Sequence, residues 1–325
     1  GQHYSFEMDK IFFDGLFLPE PDYNLDVGSG SHASQSANIL MGVENVLSIE
    51  KPGVVLVQGD TNTVMAGAIA AAKIHISIGH VEAGLRSFDK TMPEEINRVI
   101  TDHISDYLFV PTDEAKNNLQ KEGIKEDKII MVGNTIVDAV IQNEKISKQK
   151  IEILLKYQLE RDSYILVTTH RAENVDSYER LHNILLALNK LIDKTGFPVI
   201  FPIHPRTKKM INSYNLNIGN ITLINPLGYL DFLFLEKNAK IILTDSGGIQ
   251  EEACIMNVPC ITLRENTERP ETLMVGANIL SGTDPEQIIK SYSIMIKKER
   301  NWINPYGDGN AAKKIIKYLI DHYSK

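Results

Sequence analysis

Short apolar runs alternate with longer amphipathic ones along nearly the whole chain. The strand-like runs are VVLVQG (residues 54–59), ISIGHV (76–81), YLFVP (107–111) and KIIMVG (128–133). A second series follows: YILVTT (164–169), PVIFPI (198–203), ITLIN (221–225), KIILT (240–244) and PCITL (259–263). The runs are continuous rather than alternating, which is the pattern of strands covered on both faces. Between them lie helical patterns such as EEINRVITDHI and SYERLHNILLALNKLI. Such alternation predicts parallel sheets built from βαβ units. The series has a seam. After Gly133 the stretch TIVDAVIQNEKISKQKIEILLKYQL is long, charged and without a strand. The expected fold is therefore α/β, with two doubly wound, Rossmann-like domains facing a cleft and a seam near residues 140–160. Residues 1–145 plus 309–325 form the expected first domain, with the terminal helix AAKKIIKYLIDHY packed back on it, and residues 146–308 the second.

Composition agrees with a globular chain of about two domains: 325 residues, 43% hydrophobic and 23% charged. No uninterrupted apolar run reaches the ~18 residues of a membrane-spanning helix; VMAGAIAAAKIHISIGHV is broken by Lys73, His75 and His80. A net charge of −8 argues against a nucleic-acid binder, because that affinity grows from clustered Lys and Arg. A local basic pocket for one phosphorylated small molecule stays allowed. Cys254 and Cys260 read as buried thiols, in a helix-like and a strand-like run. With no secretory segment at the start, a cytoplasmic site is expected. No histidine pair has helical metal-site spacing, so no metal is expected.

In open parallel sheets ligands bind beyond the carboxyl ends of the strands. Asp60 follows the first run, Glu82 the second, His170 and Arg171 the fifth, His204 and Arg206 the sixth. The eighth delivers Asp245-Ser246-Gly247-Gly248-Ile249-Gln250-Glu251-Glu252 straight into a helix. Unpartnered N–H groups at that helix start suit a phosphate, and two glycines let the backbone approach it. Glu252 falls about one turn further, where its carboxylate could accept both hydroxyls of a ribose. The plain structural reading is that Ser246 caps the helix and the glycines make a tight turn. Gly28-Ser29-Gly30-Ser31-His32-Ala33 matches a dinucleotide fingerprint by letters, but no convincing strand precedes it. It reads as a loop. Pro93-Glu94-Glu95 is an ordinary helix start, and Glu94 and Arg98, one turn apart, could simply pair. Alternatively the SFDKTM loop delivers Glu94 and Arg98 to the cleft. Asp60 and Glu82 have plain readings as caps or turn formers, and His170 as a core or capping histidine. Three acids and a histidine at strand ends, flanking a phosphate-type helix, suit acid–base work on a nucleotide-linked substrate.

The segments GDTNT, HVEAGLRS, MPEEINR, THRAEN, HPRT, TDSGGIQEEA and NTERPET resemble, in order, the signatures of the non-hydrolysing UDP-N-acetylglucosamine 2-epimerases. The resemblance covers essentially the whole chain. It implies the two-domain glycosyltransferase-B fold and interconversion of UDP-GlcNAc and UDP-ManNAc without a cofactor, by anti-elimination of UDP to a 2-acetamidoglucal and re-addition. It implies Asp60, Glu82 and Glu94 as acid/base groups around the sugar, without saying which is the base. His170 would contact the sugar–diphosphate region with Arg98 in support. Ser246, Gly247 and Gly248 would hold the diphosphate, Glu252 the ribose and Arg269 the substrate from its loop. Phe232 would pack on the uracil, whose edge the Leu227 main chain would read. Gln2, His3, Arg171 and His204 match parts of a second, allosteric UDP-GlcNAc site, and the family is usually dimeric.

Family members open with a strand and a Gly-Thr-Arg-Pro-Glu turn, and this chain starts beyond that segment. In the usual strand order the first strand is central, so Gly1 is expected to mark a truncated piece rather than a natural start. A natural chain lacking it is expected to have an unstable first domain and very low turnover. Three other functions stay open: a glycosyltransferase of the same fold, a hydrolysing 2-epimerase, and a non-catalytic nucleotide-sugar-binding module.

Overall fold

The computed structural model describes residues 16 and 18–323. By contacts the chain splits into two compact units, Gly1–Ala139 with Tyr306–Lys325, and Val140–Pro305. Within the first unit, a loop with Ser31 as N-cap leads into α1 (His32–Glu50), Ser31 Oγ accepting from Ser34 N at 3.2 Å. Residues 28–31 are loop and no strand precedes them among the described residues, as expected; His32 and Ala33 already belong to the helix. There follow β1 (Val54–Gln58), α2 (Asn62–Lys73), β2 (Ser77–Val81), α3 (Pro93–Ile104), β3 (Tyr107–Val110), α4 (Asp113–Lys121) and β4 (Ile129–Met131). Among the described residues these strands make a parallel sheet in the order β1-β2-β3-β4.

The seam is occupied by α5 (Thr135–Ser147), a 3₁₀ turn and α6 (Glu152–Lys156). The second unit continues with β5 (Ile165–Thr168), α7 (Ala172–Val175), α8 (Tyr178–Thr195), β6 (Val199–Pro202), α9 (Pro205–Ser213), β7 (Thr222–Ile224) and α10 (Tyr229–Asn238). It ends with β8 (Ile241–Thr244), α11 (Gly247–Ile255), β9 (Cys260–Thr262), α12 (Pro270–Met274), β10 (Asn278–Leu280) and α13 (Pro285–Met295). Its sheet is parallel in the order β10-β9-β8-β5-β6-β7. Counted from β5 this is the 3-2-1-4-5-6 order of a dinucleotide-type doubly wound sheet, whose direction of winding reverses between β5 and β8.

Each apolar run of the sequence forms a strand for the reason its pattern suggested. β8 is buried at every position and β5 at all but the last, with helices on both faces. Over β5 and β6 lies α8, capped by Ser177 at one end and by Gly196 in the left-handed region at the other. Its Leu181, Ile184, Leu185, Leu188 and Leu191 form one buried face at helical spacing. β10 is a strand that the sequence pattern did not reveal. The terminal α14 (Ala311–Tyr323) has Ile315 and Leu319 in a cluster with Val81, Phe109 and Val132. The Asp138 carboxylate receives the N–H groups of Ala311 and Ala312 at 3.1 Å, which fixes the helix start. Both cysteines are free and buried, as expected. No helix among the described residues is long and apolar enough to cross a membrane.

Candidate active site

In the first unit, Gln58 and Val81 are register partners, so the ends of β1 and β2 lie side by side. Asp60 and Glu82 follow those ends, both half-buried. Glu82 adopts φ +69, a left-handed conformation that costs a non-glycine residue about 1–3 kcal/mol and clusters at functional sites. The turn is held on both sides. Gln58 Nε2 donates to Glu82 Oε1 at 3.2 Å. At Gly84 (φ +81) an added Cβ would stand 2.3 Å from the Ala115 carbonyl, so only glycine fits. Gly84 N donates to Asp102 Oδ2 at 3.1 Å, and Asp102 Oδ1 lies 2.6 Å from Nδ1 of fully buried His80. The other His80 nitrogen meets the carbonyl of Gly59, the residue before Asp60, at 2.9 Å. Asp102 therefore braces both acid-bearing turns, and Arg86 closes the network at 2.7 Å.

Helix α3 brings the second half of this cluster. Arg98 does not pair with Glu94. It bonds Asp60 Oδ2 at 2.5 Å and Glu95 Oε2 at 3.2 Å. The plain reading of Glu95 as a helix-start acid is incomplete, since its buried carboxylate also accepts from Ser87 N, Ser87 Oγ and Phe88 N at 2.8, 3.0 and 3.1 Å. Burial pushes the Glu95 carboxyl up, but these bonds and the one from Arg98 outweigh it and hold it below its ordinary value. Glu94 is half-buried on the first turn of α3. Asn97 reaches the Asp60 carbonyl at 2.9 Å.

In the second unit the candidates gather where the winding reverses. Thr168 and Thr244 are register partners with their hydroxyls 2.7 Å apart. Just beyond, fully buried Asp245 accepts from the N–H groups of His170 and Arg171 and from Asn174 Nδ2, each at 3.1 Å, and from the Thr169 hydroxyl. His170 is neither core nor cap. Its ring is exposed, with Nδ1 3.4 Å from Asp245 and the His204 ring 5.8 Å away. His204 is the capping histidine, accepting from Arg206 N at 3.1 Å. Arg171 lies 3.4 Å from Glu268, which also binds Arg264 at 2.9 Å. Burial raises the Glu268 carboxyl, but the Arg264 hydrogen bond and both guanidinium charges outweigh it and hold it low.

The plain reading of the Ser-Gly-Gly segment fails on two counts. Ser246 sits at the N-cap of α11, yet its hydroxyl makes no capping bond. An added Cβ would come no closer than 3.8 Å to a neighbour at Gly247 and 4.0 Å at Gly248, and neither has positive φ. Neither turn geometry nor internal packing demands glycine there. Glu252, a turn along α11 and 7% exposed, accepts from the Tyr229 hydroxyl at 2.8 Å. Arg269 is engaged by Glu251 at 2.8 Å. Leu227 and Phe232, both half-buried, flank the start of α10, where Phe232 N bonds Gly228 O at 3.0 Å. Gln2 and His3 lie outside the described residues.

Sequence reasoning gave no role to Asp245, Asp102 or Tyr229, and gave Glu95 only that of a helix-start acid. Asp245 and Glu95 stood inside quoted motifs, but only their partners in the structure reveal what they do.

The profile of the UDP-N-acetylglucosamine 2-epimerase family matches residues 1–320. A UDP-N-acetylglucosamine 2-epimerase of Methanococcus maripaludis is 58% identical over 326 residues, covering 98% of this chain and 89% of the relative. The crystal structure of Methanocaldococcus jannaschii UDP-GlcNAc 2-epimerase in complex with UDP-GlcNAc and UDP is similar at 57% identity, TM-score 0.86, covering 98% of this chain and 90% of that one. That of the Neisseria meningitidis enzyme bound to UDP-GlcNAc has 38% identity and TM-score 0.86, with 98% and 90% covered. The chain belongs to the UDP-N-acetylglucosamine 2-epimerase family.

Proposed function

We propose that the protein interconverts UDP-GlcNAc and UDP-ManNAc by anti-elimination of UDP to a 2-acetamidoglucal and re-addition. A carboxylate takes the C2 proton of the sugar while the C1–O bond breaks, its electron pair leaving on UDP and a C1=C2 double bond forming. A proton returned to the other face of C2 and re-attack of UDP oxygen on C1 give the epimer. Asp60, Glu82 and Glu94 are the acid–base candidates, with Arg98 and His170 in support. Ser246, Gly247 and Gly248 take the diphosphate, Glu252 the ribose, Leu227 and Phe232 the uracil, and Arg269 the substrate after release from Glu251. Arg171 and His204, which flank His170, belong to a second UDP-GlcNAc site. The same reading makes the enzyme cytoplasmic and homodimeric. One observation carries the nucleotide end: the two glycines at the start of α11 have no internal reason to be glycine.

Proton NMR of UDP-GlcNAc with the protein in heavy water tests this directly. UDP-ManNAc should appear, with deuterium at C2 of both epimers. Free ManNAc as the main product, or no exchange, would overturn it.

A further inference from the structure

One buried acid has no part in the site described above. Glu236, on α10, is fully buried, and neither of its side-chain oxygens has a hydrogen-bond partner. Tyr229 stands seven residues earlier on the same helix, two turns away and therefore on the same face. Tyr229 donates to Glu252 Oε1 at 2.8 Å, and Glu236 neighbours the same carboxyl group. The other titratable groups around Glu236 are Tyr164, whose hydroxyl donates to the Leu235 carbonyl at 2.5 Å, and the Cys260 thiol on β9. All of these groups are acidic or neutral. Two enclosed carboxylates without a cation cannot both be ionised.

We propose that Glu236 is the proton-carrying member of a buried carboxyl pair, a positioning residue that keeps Glu252 charged and aimed at the ribose of a bound nucleoside diphosphate. The inference rests on the reading of Glu252 as the ribose residue. Burial and the neighbouring Glu252 charge both push the Glu236 carboxyl well above its ordinary value. Burial raises Glu252 as well, and the Tyr229 hydrogen bond and the neighbouring Glu236 carboxyl offset only part of that rise. The proton therefore sits on Glu236, the deeper acid and the one raised further, and the charge on Glu252, which the Tyr229 hydroxyl supports.

Three measurements on the full chain decide the matter. Because the folded-state value of Glu236 is raised, folding takes up a proton above about pH 4.3 and stability falls as pH rises from there. Glu236→Gln does not titrate, so its thermal midpoint relative to wild type should climb between about pH 5 and pH 8; a constant difference overturns the proposal. Glu236→Ala should raise the KM for UDP-GlcNAc about tenfold, the change falling on KM rather than kcat, with Glu236→Gln restoring it. A loss confined to kcat, or no rescue by Gln, counts against positioning. If the variants do not fold, wild-type protein near neutral pH should still show the infrared carbonyl band of an un-ionised carboxylic acid, and its absence overturns the proposal. Wild-type preference for UDP over 2′-deoxy-UDP tests the ribose reading separately. Its failure would leave the pH-dependent midpoint to judge the proton.

Discussion

The Arg98 guanidinium binds Asp60 at 2.5 Å with one nitrogen and Glu95 at 3.2 Å with another. One cation thus orients a strand-end carboxylate and anchors the acid that holds the loop before α3. Removing it leaves Glu95 enclosed with its charge uncompensated. Arg98→Met should destabilise the protein by about 3–5 kcal/mol, the range for breaking one side of a buried pair. Arg98→Lys should recover only part of this, because a point charge cannot serve two carboxylates in a fixed fork. Urea denaturation of the three proteins measures both effects, and equal midpoints would show that the pair is unimportant.

The turns that carry Asp60 and Glu82 are held through the Gly59 and Asp60 carbonyls and the neutral Gln58 amide, and an amide oxygen at either site can still accept from Arg98 or Gln58. Neutral isosteres should therefore keep the geometry and lose the chemistry. Asp60→Asn and Glu82→Gln are expected to lower kcat by about 10²–10⁴-fold, the usual weight of one acid–base group. UDP affinity by calorimetry should stay within about threefold. A weakened UDP complex with normal turnover would assign these acids to binding instead.

Gly248 offers a cleaner separation of folding from binding. Its backbone is helical and an added methyl meets nothing closer than 4.0 Å. Gly248→Ala should therefore stabilise the fold slightly, by about 0.4–1 kcal/mol. If the proposed diphosphate site is right, the same methyl blocks the approach to the α11 N–H groups, and UDP affinity should drop about tenfold, a cost near 1.4 kcal/mol. Loss of stability with unchanged affinity would return the glycine to a purely structural role.

The strands were readable in the sequence because burial on both faces writes an uninterrupted apolar run, as in Ile241–Thr244. β10 was not, since it is only three residues long and starts with Asn278, a residue type uncommon in strands. Asn278 sits there because its side chain bonds Thr262 and Gln250 across the core, a partnership with no local trace. The site followed the same division. Acids at strand ends were visible because chain direction fixes where they emerge. Their partners were not: helical spacing suggested Glu94 for Arg98, whereas the cation reaches Asp60, 38 positions away. Asp245 carries no hint in its neighbours that it collects the His170 and Arg171 amides.

Acid should release the loop that Glu95 secures. Ser87 and Phe88 are tied to this carboxylate through two backbone amides and a hydroxyl. Those bonds, with Arg98, overcome the effect of burial and hold the folded-state carboxyl below its ordinary value. The unfolded chain therefore binds the proton more readily, at about pH 4.3, and stability falls as pH drops from there through the lower folded value. Glu95→Gln removes that proton from the balance. The variant should be less stable than wild type at about pH 7, and the gap should narrow steadily as pH falls toward about 3. Urea midpoints across this range measure it. Parallel curves would mean that folding does not change how readily Glu95 binds a proton, so that the Ser87, Phe88 and Arg98 bonds do not favour its charged form.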